Sequence, residues 1–120
     1  MPKGLNTMQK DMADPDIRRF VDAINAAYVE HGAPAGASMA ARRAVAEHVR
    51  KPWREGGPIM ASSHEMDMGG VRLRLHRPAV DAKLPVLLYI HGGGWTLFSI
   101  DTHDRLMREY AARAGIAVLG

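Results

Sequence analysis

The chain of 120 residues contains no cysteine. That absence excludes disulfides, thiolate metal ligands and a cysteine nucleophile within these residues. Long apolar runs are missing as well: nothing approaches the ~18 residues that a membrane-spanning helix needs. The opening MPKGLNTMQKDMADPD lacks the apolar stretch that marks a secretory leader, so the expectation is a cytoplasmic protein. An excess of one charge sign is also absent, since the net charge is only +3. The basic residues Arg18, Arg19, Arg42, Arg43, Arg50, Lys51, Arg54, Arg72, Arg74 and Arg77 alternate with acidic and apolar positions. They read as solvated faces, with no aromatic-interleaved patch of the kind that binds nucleic acid. His31, His48, His64, His76 and His103 are scattered, and His64-Glu65 lacks a second histidine at metal-binding offset. No metal and no cofactor are expected.

What is present is a soluble globular composition, 47% hydrophobic and 24% charged. Residues 1–13 have no clear period and read as a loose arm. Asp14 then offers an N-cap and Pro15 a first helical position. Ile17, Phe20, Val21, Ile24 and Tyr28 follow at helical spacing, and Gly32 and Pro34 end the run. A second helix opens on Ser38. Met39, Ala41, Ala44, Val45, His48 and Val49 make its apolar side, and Pro52 is expected to stop it. The Pro- and Gly-rich stretch 52–59 is the best boundary, dividing an arm with two helices (1–58) from the beginning of a sheet domain (59–120).

Beyond the boundary the period changes to two. Residues 60–67 read as a strand and Gly69-Gly70 as a hairpin turn. Val71, Leu73 and Leu75 alternate with Arg72, Arg74 and His76, the pattern of a half-buried strand ending at Pro78. Pro85 to Ile90 is continuously apolar, as in a parallel strand buried on both faces. Residues 101–114 read as a helix capped by Asp101, with Leu106, Met107, Tyr110 and Ala111 inward. Gly115 ends it, and Ile116 to Leu119 start another buried strand. Strand, helix and strand make a βαβ unit, so the fold class is α/β.

Between that first buried strand and its helix stands His91-Gly92-Gly93-Gly94-Trp95. Three glycines together sacrifice packing and chain entropy. They allow positive φ and let a ligand approach backbone N–H groups closely. Acyl transfer needs such donors, because preorganised N–H groups ~2.7–3.1 Å from a developing oxyanion lower the barrier by a few kcal/mol each. A phosphate-binding loop would close on Gly-Lys-Ser/Thr, where Trp95-Thr96-Leu97 stands. A dinucleotide fingerprint beginning at Gly92 would need glycine at Leu97.

The stretch PVLLYIHGGGWTLFSIDTHDRLMREYAARAGIAVLG, with its HGGGW loop and Asp101-Thr102-His103, is similar to the oxyanion-loop region of the hormone-sensitive-lipase family of α/β-hydrolases. The two helices and the hairpin resemble that family's N-terminal layout, in which the helices form part of a cap. The resemblance implies the N-terminal part of an α/β-hydrolase: two cap helices, a β-hairpin, then the start of the parallel sheet. It implies that Gly93 and Gly94 donate N–H groups to the oxyanion, that Gly92 permits the turn and that His91 orients the loop. Trp95 would either border the substrate pocket or anchor the loop in the core. The family's G-x-S-x-G nucleophile is absent. Ser38 caps a helix, Ser62 and Ser63 lie in the hairpin, and Ser99 helps to cap the next helix. Asp101 and His103 read as a capping and loop-fixing pair.

The implied function is therefore part of a serine carboxylesterase acting on short-to-medium acyl esters. Its partners would be a small-molecule ester and a C-terminal hydrolase portion carrying Ser, Asp/Glu and His. The alternative is a non-catalytic interaction module that associates through its unfinished sheet edge, and self-association into a homo-oligomer stays open.

Overall fold

A computed structural model of the chain describes residues 14–81 and 83–120. The arm expected over 1–13 lies outside them. Helix α1, Pro15–His31, starts as its sequence dictates: the Asp14 carboxylate accepts the Asp16 N–H at 2.8 Å, and Pro15 occupies the first turn. Helix α2, Met39–Arg54, opens with the Ser38 hydroxyl accepting the Ala41 N–H at 3.2 Å. It runs through Pro52 rather than stopping there. In a last turn the proline forfeits only the bond to the His48 carbonyl. Just beyond it, Trp53 packs edge-on against Phe20 of α1 at 5.3 Å, which favours continued helix. Ile24, Ala46 and Val49 are the buried residues of the pair. Ile17, Val21, Met39, Ala41, Ala44 and His48 remain exposed, so the packed face is narrower than the apolar stripes.

Strands β1, Ser62–Met68, and β2, Val71–Arg77, form the expected hairpin. Gly69 and Gly70 both take positive φ, and the Asp67 carboxylate accepts the Gly70 N–H at 2.8 Å. Strand β3 is Val86–Leu88, helix α3 is Asp104–Ala114 and strand β4 is Ala117–Leu119. The sheet order is β1-β2-β4-β3. Strand β4 pairs antiparallel with β2 and parallel with β3, so the βαβ unit is present. Gly115 ends α3 in the left-handed region at φ 64°.

Three expectations are corrected. First, β3 is not buried on both faces: Val86 and Leu88 are exposed, because β3 is the outer strand and pairs only with β4 among the described residues. Second, β2 turns His76 and Arg74 of its polar side inward, while Arg72 stays half exposed. His76 is 2% exposed while Val71 is 59% exposed. The basic side chains of β2 meet Asp101 and Asp104, so Arg74 and His76 can leave water with partners in place. Arg74 is accordingly not the solvated residue that its alternation suggested. Third, α3 begins at Asp104, not Asp101, with His103 at its N-cap and no side-chain cap bond. The Ser99 hydroxyl accepts the Asp101 and Thr102 N–H groups, closing a separate turn, while the Asp101 carboxylate is drawn to Arg72 and Arg74. Leu106 and Tyr110 are exposed, and Met107 and Ala111 carry the inner face of α3.

The core gathers Ile100, Met107, Ala111 and Val118, with Met60, Tyr89 and Ile116 packed against it. Met107 is its largest fully buried apolar side chain. Truncation by Met107→Ala is expected to destabilise the fold by about 2–4 kcal/mol, read as a lower urea midpoint at unchanged m. A loss under about 1 kcal/mol would show that this cluster collapses around the gap and is not the fold's main support.

Candidate active site

The loop 91–98 leaves the end of β3 and is shaped by its glycines unequally. Gly93 has φ 135°, Gly94 61° and Trp95 64°, whereas Gly92 is outside the left-handed region. A Cβ on Gly92 or Gly94 would meet nothing within 4 Å. On Gly93 it would collide with the Leu97 carbonyl and lie 3.0 Å from the Phe98 ring. The requirement for glycine, which the sequence reading placed on Gly92 for the turn, therefore falls on Gly93.

Two peptide units matter. In the first, the Gly92 carbonyl accepts the Nδ1–H of His91 at 2.8 Å. In the second, the Gly93 carbonyl accepts the N–H groups of Thr96 and Leu97 at 3.2 and 3.0 Å. Because a trans peptide is planar, each held carbonyl fixes the N–H opposite it, that of Gly93 in the first unit and of Gly94 in the second. Among the described residues neither of these N–H groups has an acceptor. They are two donors on adjacent planes, prepared but unused, beside solvent at the end of a strand.

The loop's floor is aromatic. The rings of His91 and His103 stack at 5.3 Å, and Phe98 meets His103 edge-on at 5.7 Å. Burial lowers the His103 pKa, although its Nδ1–H donates to the Ser99 carbonyl. A neutral ring is thus favoured beside His91. Helix α2 reaches the loop twice. Arg43 Nε donates to the Thr96 carbonyl at 2.7 Å. The Arg50 guanidinium lies between the Phe20 and Phe98 rings, 5.3 and 5.1 Å from their centroids. Trp95 is 95% exposed among the described residues.

Residues 87–120 match a family model described as alpha/beta hydrolase fold. Among solved structures, the chain is similar to an ester hydrolase from the metagenome of Lake Arreo, determined with a bipyridine phosphonate derivative. That match has 28% identity and a TM-score of 0.72, over 90% of this chain and 36% of the other. A thermophilic, thermostable carboxylesterase cloned from a metagenomic library matches at 29% identity and TM-score 0.65, over 72% and 31%. An esterase from the bacterial hormone-sensitive lipase family matches at 25% and 0.67, over 90% and 34%. The chain has the α/β-hydrolase fold and is similar to esterases, one of them of the bacterial hormone-sensitive lipase family. It spans about a third of the length of these relatives and corresponds to an N-terminal portion.

A groove of about 700 Å³, open to solvent, lies away from the glycine loop. It lies between the hairpin and α3 and holds a constellation that the sequence reading missed. The Ser63 hydroxyl bonds to His76 Nδ1 at 2.7 Å, and His76 Nε2 bonds to Asp104 at 3.0 Å. Serine, histidine and aspartate are thus joined in series, with the imidazole reversed relative to a hydrolytic triad. Asp104 also takes Arg74 and Arg108, each at 2.8 Å. Burial pushes the Asp104 carboxyl up, but the bonds from His76, Arg108 and Arg74 prevail and hold it well below the usual carboxylate range. An aspartate already neutralised by two guanidinium groups adds little basicity to a histidine. The arrangement is a strut: it ties β1 and β2 to the first turn of α3. Arg108 extends it by donating to the Pro58 and Gly56 carbonyls, so the connector after α2 is strapped to α3. The available signal was charge alternation in β2 opposite Asp101 and Asp104, which becomes legible only once the strand register is known.

The other sequence candidates stay apart. Ser38 is a helix cap, Ser99 organises the turn before α3 and His31 packs edge-on against His48 at 4.9 Å. Among the described residues no group of three His, Asp or Glu has the geometry of a metal site. Among them also, no helix is long and apolar enough to cross a membrane.

Proposed function

We propose that this chain supplies the oxyanion-hole loop of a serine carboxylesterase for short-to-medium acyl esters. The observation that carries the reading is the pair of adjacent peptide units whose carbonyls are held and whose N–H groups, on Gly93 and Gly94, are free. The likeness to solved esterases supports it. In the reaction, a serine elsewhere in the hydrolase attacks the ester carbonyl, a histidine takes the serine proton and the alkoxide leaves with a proton returned by that histidine. Water then attacks the acyl-enzyme by the same route. Both tetrahedral intermediates place negative charge on the former carbonyl oxygen. Gly93 and Gly94 stabilise that charge together with the residue after the nucleophile. His91 holds the first of the two peptide units, and the exposed Trp95 borders the substrate.

Residues 1–120 alone are expected to leave p-nitrophenyl acetate hydrolysis at its uncatalysed rate. Adding a C-terminal hydrolase portion with its Ser, acid and His should restore turnover. Hydrolysis by the isolated chain that Gly93→Pro abolishes would contradict this division of roles.

A second reading, association through the sheet edge, draws on the exposed Val86, Leu88 and Ile90 around β3. Mass spectrometry of the purified protein separates the two. A co-purifying hydrolase portion supports the first, and a 13.1 kDa homo-oligomer supports the second.

A further inference from the structure

A line of polarisable groups runs from the cap helix to the second of these donors. Arg43 Nε–H donates to the Thr96 carbonyl at 2.7 Å. The same peptide unit carries the Leu97 N–H, which donates to the Gly93 carbonyl at 3.0 Å. The Gly93 carbonyl in turn shares its peptide unit with the free Gly94 N–H. Each donation withdraws electron density from the next carbonyl and makes the N–H on its far side a stronger donor. Here the series starts on a guanidinium, a permanent cation. The Thr96 N–H and hydroxyl add two weaker donations to the Gly93 carbonyl, at 3.2 and 3.4 Å.

We propose that Arg43 is a positioning residue for the oxyanion hole, orienting and polarising the Gly94 N–H through the Thr96–Leu97 and Gly93–Gly94 peptide units. The inference rests on the reading of Gly94 as an oxyanion donor. Geometry separates Arg43 from the general attachment of α2. Arg50 holds Phe20 and Phe98 independently, so loss of Arg43 leaves the helix seated while the relay loses its source. Arg43 is exposed, so solvent screens its charge and its effect is graded rather than absolute.

The test is amide NMR of the ¹⁵N-labelled protein, comparing Arg43→Gln and Arg43→Lys with Arg19→Gln, a surface control on α1. In Arg43→Gln, exchange of the Leu97 amide should quicken about fivefold, as for loss of one charge-assisted contact. The Gly94 amide proton should move upfield as its peptide unit depolarises. Arg43→Lys keeps the charge without the directed Nε–H and should fall between the two. If Leu97 and Gly94 are unmoved in Arg43→Gln, or move as much in Arg19→Gln, the proposal is overturned. In a hydrolase that contains this segment and its nucleophile, Arg43→Gln should lower kcat about three- to tenfold with KM within about twofold. A change in KM alone would also overturn it. Gly94→Pro, which removes the N–H, decides the underlying reading separately: undiminished kcat there would dismiss Gly94 as a donor whatever the amides show.

Discussion

Gly93→Ala is expected to lower kcat/KM by about a hundredfold or more in a hydrolase containing this loop, while Gly92→Ala stays within about threefold. The contrast follows from the backbone. At Gly93 a methyl group would enter the Leu97 carbonyl and press on Phe98, at a φ of 135° that L-residues rarely adopt. Relief requires rotating the Gly93–Gly94 peptide unit away from the Thr96 and Leu97 N–H groups, which turns the Gly94 N–H away from its present direction. At Gly92 the added methyl meets nothing. Gly94→Ala falls between the two, since its surroundings are open but its φ of 61° costs an L-residue about 1–2 kcal/mol. Circular dichroism should show unchanged helix content in all three variants. The informative outcome is the rank order. If Gly92→Ala and Gly93→Ala lose activity equally, the free N–H groups are not set by the geometry described, and the loop's role in the reaction falls with them.

That ranking also marks what a sequence can and cannot disclose. Three adjacent glycines after an apolar strand announce a backbone that must bend and expose its amides. They do not say which residue bends, because that is decided by a carbonyl four residues on. The helix starts at Pro15 and Met39 were legible since capping is local: Asp14 and Ser38 bond within three residues of themselves. The start of α3 was not, because Asp101 is a plausible cap that long-range pairing with Arg72 and Arg74 draws away. The same pairing hid the inward face of β2. Alternation identifies two faces of a strand, but the buried one is normally inferred from its apolar residues. Here Asp101 and Asp104 draw Arg74 and His76 of the basic face inward. The glycine loop was found because its chemistry is contiguous. The Ser63–His76–Asp104 series was missed because its members are 13 and 28 residues apart and meet only through strand pairing.

Asp104 carries the second large effect. Asp104→Asn should cost about 3 kcal/mol of stability, because it removes the carboxylate that pairs with the Arg108 and Arg74 guanidinium groups and accepts from the buried His76. Arg74 suffers less, since Glu65 and Asp101 still pair with it. The pH dependence gives the charge argument its own readout. The folded carboxyl of Asp104 titrates below its ordinary value of about 3.9, so its stabilisation is in place above that pH and drains away as the pH falls toward the depressed value. The parent protein should therefore lose stability steeply below about pH 4, and Asp104→Asn should show a shallower acid limb. Ser63→Ala is the complementary variant. As the exposed end of a strut it should cost only about 1 kcal/mol. In a hydrolase containing this segment it should leave kcat intact. Loss of hydrolysis in Ser63→Ala without unfolding would make the series a nucleophilic centre in its own right and overturn its reading as a strut. An acid limb of equal steepness in Asp104→Asn would place the titrating group elsewhere, with Asp101 next, since its carboxyl is also lowered by Arg72 and Arg74 against the effect of burial.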